Sequence, residues 1–447
     1  MFPWLHGRAR VGWLPAGQGA ALGISVLGFA VLARILGPDP FAIFATVALI
    51  YSVASLMMDV SPQGFLLVNG GRSRAIRVAE QLTWISAACA TTVLAGLLLS
   101  LPSVLLGKSL DIHIVLGLLI ACAAQFFGQV PRAQLLRARA YSLIAIIDVT
   151  TMAASVAGAI AFALWWPGIS ALVGQLFILT VFRAGAFRLA TLAARYRAVS
   201  IETTGGLRLI DGFRYGLPLI TLNISSYLSR SLDSGLLPAL IPAAAAAAYA
   251  RSYQVVVAPM TQLQLSLGGA AVERLARVAE SAELNRVRRL LFIAVVVSAC
   301  AAGVVVSAGS GIISDVLFGP KWPMANVFLA ATACQLPVLS LATYSAWQLQ
   351  IRPNHRTSLI QLLVMLSAPV IVLLLATGGA QSAATAIAVV PILPLILLIL
   401  VNRARMPRPA WWVLIALLTW ALLCGMFFVT AGASEFWEYS FTESVSV

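Results

Sequence analysis

Residues Phe213–Arg274 read FRYGLPLITLNISSYLSRSLDSGLLPALIPAAAAAAYARSYQVVVAPMTQLQLSLGGAAVER. Two apolar segments lie in this stretch, roughly 213–236 and 243–269. Each matches the run of about 20 helical residues that crosses a bilayer core. The turn between them holds Pro238 and Pro242. Arg230 and Arg251 interrupt the apolar pattern. An arginine inside a spanning helix costs several kcal/mol on insertion scales, so it faces a wet cavity or a partner in place of lipid. The pair of segments therefore predicts two helices that open a second transport lobe, with cationic side chains directed at its lumen.

The rest of the chain has the same character. It has 447 residues, of which 61% are hydrophobic and 10% charged. That balance excludes a soluble domain and predicts an all-α, polytopic membrane protein. The net charge of +14 does not point to nucleic acid. The basic residues sit in short segments between apolar runs, as the positive-inside rule requires. Cys89, Cys122, Cys300, Cys334 and Cys424 all fall within apolar segments and read as small packing residues. The N-terminal MFPWLHGRAR precedes an apolar run too long for a cleaved signal.

Thirteen spans are predicted, at 13–35, 41–60, 80–101, 112–130, 141–163, 169–187, 213–236, 243–269, 290–308, 324–346, 358–376, 382–401 and 411–430. With the N-terminus inside, 24 of the 29 basic residues fall on inside segments. The outside loops hold only Lys108 and Lys321, while Arg34, Arg230 and Arg251 lie within spans or at their outer ends. A wrong span count would invert this alternation from the point of error onward. The inside loop at about 188–212 divides the chain. The expected organisation is a six-helix lobe at 1–200, a second at 201–404, and an additional helix with an acidic outside tail at 405–447.

The two lobes carry traces of a repeat. LLGKSLDIHIVLGLLIACAA resembles VLFGPKWPMANVFLAATACQ, and pairs Gly107 with Gly319 and Cys122 with Cys334, each 212 residues apart. Ser86 and Ser298 share that offset, and ILGPDPFAIFA echoes LIPAAAAAAYA. An even number of spans per half makes such repeats parallel. Pro218, Pro259, Pro337, Pro369, Pro391 and Pro394 recur in the second half. Each bends its helix or serves as ordinary packing variety.

No glycine-rich phosphate loop, metal-ligand cluster or long outside loop is present in the sequence, so no cofactor and no catalytic centre is expected. Intramembrane carboxylates offer a different chemistry. Asp148 lies nine residues beyond Arg139 on a helix, and Asp59 lies near the inner end of the second span. Such groups carry protons, hold a coupling cation, or simply bond a neighbouring helix or the interface. Arg230, Arg251 and Arg34 reach a similar depth near the outer side, and form the candidate cationic lumen. The alternatives are that Arg34 snorkels to headgroups, Arg230 pairs with Asp233, and Arg251 holds a helix end.

These motifs, in order, resemble a known family. LARILGPDPFAIFATVALIYSVASLMMDV is similar to the opening spans of bacterial polysaccharide exporters. LLRARAYSLIAIIDVTTMAASVAGAIAFALWWPGISALVGQLF resembles their fifth and sixth spans, and YARSYQVVVAPMTQL and LFGPKW resemble two further signatures. The resemblance covers about residues 13–401 and is to the polysaccharide transporter branch of the multidrug/oligosaccharidyl-lipid/polysaccharide exporter superfamily. It implies a flippase for undecaprenyl-diphosphate-linked oligosaccharides in the bacterial inner membrane, working by alternating access. Its partners would be that lipid-linked substrate, membrane lipids and other polysaccharide-assembly proteins. Arginine suits such a substrate, because its guanidinium holds phosphate or carboxylate bidentately. A multidrug antiporter of the same superfamily would instead carry lumenal carboxylates, and a membrane glycosyltransferase or polymerase would carry acids beside a long outside loop. Two departures stand out. Ala243–Ala248 is unusually alanine-rich, and the thirteenth span moves the C-terminus outside.

The charge alternation makes a direct forecast. A reporter active only outside the cytoplasm, fused after Val447, is expected to be active. Activity of a cytoplasm-only reporter at that point would remove the thirteenth span.

Overall fold

A computed structural model of the chain describes residues 3–57, 62, 65–66, 75–107, 109–193, 208–213, 227–228, 231–277, 282–322, 324–351, 355–393, 396 and 411–433. Among these the regular structure is helical, with no strand. A bilayer interior leaves backbone N–H and C=O groups no water to bond, so apolar segments close their hydrogen bonds within helices. The chain divides into two compact units, Met1–Leu228 and Ser229–Val447.

The first unit contains α1 (Pro3–Leu36), α2 (Asp39–Met57), α3 (Ala75–Leu106), α4 (Ile112–Phe127), α5 (Gln129–Arg137), α6 (Tyr141–Trp165) and α7 (Ile169–Ala193). Helix α6 packs on α1 and α7, α7 on α4, α4 on α3, and α3 on α2. Val47, Ile50, Leu94, Leu98, Leu118 and Phe126 form a buried cluster between α2, α3 and α4. The outward faces remain apolar, with Trp84, Leu99, Ile120 and Phe182 exposed. Such an exterior is expected where the solvent is lipid.

The second unit contains the 3₁₀ turn Leu237–Ala239, α8 (Ala243–Arg277), α9 (Ala282–Ala308), α10 (Ser310–Leu317), α11 (Ala325–Ile351), α12 (His355–Ala376), α13 (Ala380–Val389) and α14 (Trp411–Ala433). Helix α11 is its centre, packed by α8, α9, α10, α13 and α14. Residues 327–338 of α11 are buried without interruption, so this helix is enclosed on every face. The last helix is part of the unit: Ala416 joins Phe292, Val295, Val296, Val338 and Leu341 in one cluster, and Leu423 lies against Gly303.

Among the described residues a helix lies at each expected span except the seventh; the fourth is divided at Gly128 into α4 and α5, and for the twelfth, 382–401, α13 covers only the first part, most of 394–401 lying outside the described residues. The seventh, 213–236, lies largely outside the described residues, although 231–236 is helical. The ninth span differs in form. At Gly309 the chain turns by 73° into the short helix α10, which the sequence reading left out. Seven described helices are long and apolar enough to cross a membrane, or eight if that bent pair is one span.

The repeat has a conformational signature. Gly107 follows α3 with φ 61°, and Gly319 follows α10 with φ 78°. Both are in the left-handed region, where a side chain would collide with its own backbone and glycine does not. Cys122 on α4 and Cys334 on α11 are both fully buried. Two positions 212 residues apart thus do the same job twice, each ending one helix and starting the next.

The α1–α6 contact sets the geometry of the first unit. Gly17 faces Ala145, and Gly28 faces Val156. The two glycines are eleven residues apart, close to three full turns, so they lie on one stripe. A Cβ at either place would overlap α6, whereas one at Gly19 or Gly23 would meet nothing within 4 Å. Small residues permit this close approach, which stands in for the hydrophobic drive that lipid cannot supply. Gly17→Leu and Gly28→Leu are therefore expected to lower thermal stability in detergent by the equivalent of about 1–3 kcal/mol, while Gly19→Leu and Gly23→Leu stay near wild type. Equal melting of all four would disprove the close contact.

Candidate functional site

Among the described residues, each unit holds a buried carboxylate with its own set of partners. In the first, the turn after α5 builds it. Arg139 adopts φ 56°, its N–H bonds the Leu136 carbonyl, and the Ala140 N–H bonds the Leu135 carbonyl. This left-handed turn sends α6 back along α5. Arg132 lies two turns before the reversal, about 10 Å along α5, and Asp148 about 13 Å beyond it along α6. The two side chains therefore meet. Leu135, Ile144, Ile147 and Phe187 seal α5, α6 and α7 around them.

Asp148 is buried. Its Oδ1 lies 3.2 Å from Arg183 Nε on α7, and its Oδ2 lies 3.9 Å from an Arg132 terminal nitrogen. Both arginines are about a third open, at 30% for Arg132 and 35% for Arg183. Near them Arg188 on α7 approaches Glu80 on α3 at 3.9 Å. Sequence reading put Asp148 at this depth but treated Arg132 and Arg183 as inside-loop charges. The structure places both on helices and brings them to the carboxylate. The available signal was the 132–148–183 spacing across three successive helices, which becomes legible only once α5 and its turn are known.

In the second unit the centre is Asp233. The Tyr249 hydroxyl donates to its Oδ2 at 2.6 Å, and the Ser234 backbone N–H donates to its Oδ1 at 2.8 Å. Tyr249 is fully buried, with its ring beside Tyr253 and Phe328. The alanine run beginning α8 accounts for this burial. Ala245, Ala246, Ala247 and Ala248 are buried and allow α8 to seat closely on α11. The alanine-rich departure seen in the sequence is thus a packing surface. Arg251 lies two residues on, about 200° around the helix from Tyr249, and so serves another face. It is 8% exposed and donates from a terminal nitrogen to the Gln254 side-chain oxygen.

The remaining candidates fall elsewhere. Arg34 is in the last turn of α1 and exposed, where a cation complements the helix dipole. Arg230 and Asp59 lie outside the described residues. Sequence analysis missed the Tyr249–Asp233 bond, because Tyr249 reads as one more apolar residue after six alanines. All five cysteines are free, and Cys122, Cys334 and Cys424 are buried.

Comparison with known proteins follows from this geometry. A family described as polysaccharide biosynthesis protein matches residues 31–327. No curated protein matches the chain. Among solved structures, the lipid II flippase MurJ in an inward closed conformation is similar, with TM-score 0.62 and 12% identity, covering 92% of this chain and 97% of that one. An inward-facing multidrug resistance MATE family transporter of the MOP superfamily gives TM-score 0.62 at 12% identity, covering 86% and 94%. A MOP superfamily transporter from Pyrococcus furiosus, described as having a binding pocket of reverse polarity, gives 0.60 at 15%, covering 89% and 95%. At these identities the likeness is one of fold. The chain has the helical fold of MOP-superfamily transporters along most of its length.

Proposed function

The chain belongs to the polysaccharide biosynthesis protein family, and from that premise we propose that it is a flippase for undecaprenyl-diphosphate-linked oligosaccharide repeat units in exopolysaccharide or lipopolysaccharide synthesis. The observation that carries the reading is the family match over residues 31–327, joined to a fold shared with a lipid II flippase. We place the protein in the bacterial inner membrane, with the N-terminus cytoplasmic and the C-terminus outside. Its partners are the lipid-linked substrate, the surrounding lipids and other polysaccharide-assembly proteins.

The physical requirement is specific. A diphosphate head with its sugars must cross an apolar layer, while the polyprenyl tail stays in lipid. Alternating access meets this by offering the head a polar route that opens to one side at a time. Fixed cations along the route replace the water lost by the phosphates, and arginine does so bidentately. We assign this role to Arg230, Arg251 and Arg34. Support comes from Arg251, a buried arginine on α8 within the expected span 243–269, where the cost of placing a guanidinium in a bilayer core calls for a compensating role.

The coupling role falls to Asp148 and Asp59. A metal cation approaching Asp148 would meet two guanidiniums. The same fold is found in multidrug MATE transporters, so fold does not separate the two substrate classes. Charge type does. Exporters of cationic drugs need carboxylates in the lumen, whereas the candidate lumenal charges here are arginines.

In a strain whose polysaccharide export depends on this protein, Arg230→Ala and Arg251→Ala are expected to stop export while membrane insertion stays normal. Lysine at either place is expected to restore part of it, since the charge remains but the fork is lost. Normal export by the double alanine variant would remove the cationic-lumen mechanism. Asp148→Asn is expected to make export insensitive to pH and membrane potential. If the variant exports at the normal rate with the usual dependence on both, Asp148 is not the coupling group.

A further inference from the structure

The cluster on α5, α6 and α7 has more positive charge and more donors than its carboxylate can use. One acid, Asp148, faces two guanidiniums. Glu80, the other acid nearby, is already beside Arg188. Helix α1, which packs along α6, has no ionisable residue from Leu14 to Ala33. Nothing described on the packed elements cancels the surplus charge.

The contacts are also incomplete as hydrogen bonds. The nitrogen of Arg132 is 3.9 Å from Asp148, beyond hydrogen-bond range. Arg183 Nε is 3.2 Å away, yet its N–H is not aimed at the carboxylate. Both Arg132 Nε and Arg183 Nε are buried without a hydrogen-bond acceptor among the described residues. Each guanidinium has five N–H donors in a planar fork. A buried donor left unmet costs about 1–3 kcal/mol. Two forks that share one ill-aligned carboxylate therefore favour a ligand with more acceptor oxygens. The arginines are a third open while Asp148 lies behind them, so such a ligand meets the guanidiniums first.

We propose that Arg132 and Arg183 form a binding site for a phosphate-type oxyanion, and that Asp148 acts as a built-in competitor for the same guanidiniums. A tetrahedral oxyanion presents three or four acceptors and matches two forks better than one carboxylate does. A metal cation is repelled. The internal carboxylate keeps the site's affinity low, which lets a carried anion leave again. In its biological role the site rests on the reading that the carried molecule is anionic, and its binding chemistry is tested separately from transport.

The test is a calorimetric titration of the purified full-length protein, in neutral detergent, with inorganic pyrophosphate. Wild type binds. Arg132→Gln and Arg183→Gln each weaken binding about tenfold, and Asp148→Asn strengthens it about tenfold, since a tenfold change corresponds to about 1.4 kcal/mol, the scale of one charge-assisted bond. Arg188→Gln, outside the cluster, leaves it unchanged. If Asp148→Asn alone does not yield monodisperse protein, Asp148→Asn/Arg132→Gln restores the charge count and binds within a few-fold of wild type. Absence of pyrophosphate binding in both wild type and the Asp148 variants overturns the proposal. So does an Asp148→Asn variant that binds no tighter than wild type, or a paired variant that binds no tighter than Arg132→Gln alone.

Native mass spectrometry from mixed phosphatidylglycerol and phosphatidylcholine vesicles separates the two sources of phosphate. Phosphatidylglycerol retained by wild type and lost by Arg183→Gln identifies a phospholipid headgroup. Equal retention, with pyrophosphate binding intact in wild type, excludes the headgroup and leaves the diphosphate as the source. No pyrophosphate binding by wild type or the Asp148 variants, with export still dependent on Arg230 and Arg251, refutes this proposal alone. An intact site with export untouched by any of these variants refutes the transport reading alone.

Discussion

Helices in a bilayer gain little from hiding apolar surface from one another, because the lipid they leave is equally apolar. What remains is contact itself, and this fold depends on it. Gly17 and Gly28 bring α1 onto α6. The alanines of α8 bring it onto α11, where Tyr249 then has room to reach Asp233. Gly303 does the same for α9 against Leu423 of α14 and the Ala333 carbonyl of α11. Other large side chains are exposed on the outer faces, as Trp84, Leu99 and Val429 are. The usual inside-out pattern of a soluble protein is therefore weakened, and small residues mark the closest helix contacts.

Close helix contact decides where charge is tolerated. A carboxylate at the depth of Asp148 is tenable because α5 turns back at Arg139 and α7 runs alongside, so two guanidiniums meet it. Asp233 is met instead by a hydroxyl and an amide among the described residues. The two acids are thus held in chemically different ways. One sits in a cationic surround, and the other in a neutral, hydrogen-bonded one. Their responses to a passing anion will differ accordingly.

Much of this was legible from residue order. Apolar length located the spans, since a bilayer demands about 20 residues whatever their order within the helix. Gly107 and Gly319 were visible as a pair, and their shared left-handed φ explains why both are glycine. Other features were hidden for physical reasons. The 73° turn at Gly309 leaves no mark in hydropathy, because α10 is as apolar as the helix before it. Arg132 looked like a loop residue because α5 is polar enough to resemble an inside connection. Arg183 was masked by the inside arginines that follow it on the same helix and loop. Hydropathy and charge counting average over faces. The Asp148 and Asp233 constellations depend on which face each residue occupies.

The repeat sharpens the meaning of those two sites. Shifted by 212 residues, Asp148 falls on Ile360, Arg132 on Tyr344 and Arg183 on Leu395. By the alignment of ILGPDPFAIFA with LIPAAAAAAYA, Tyr249 falls on Phe44 and Arg251 on Thr46. Neither constellation has a counterpart in the other unit, although the glycine and cysteine positions that shape the helices are shared. The likeness between the two units therefore extends to these backbone positions and not to the charges. Retained backbone positions are those where only glycine or a small residue meets the geometry. Ionisable residues in a bilayer, by contrast, carry a cost that each unit has to offset with its own partners. Their presence in one unit alone means that the two units differ in chemistry.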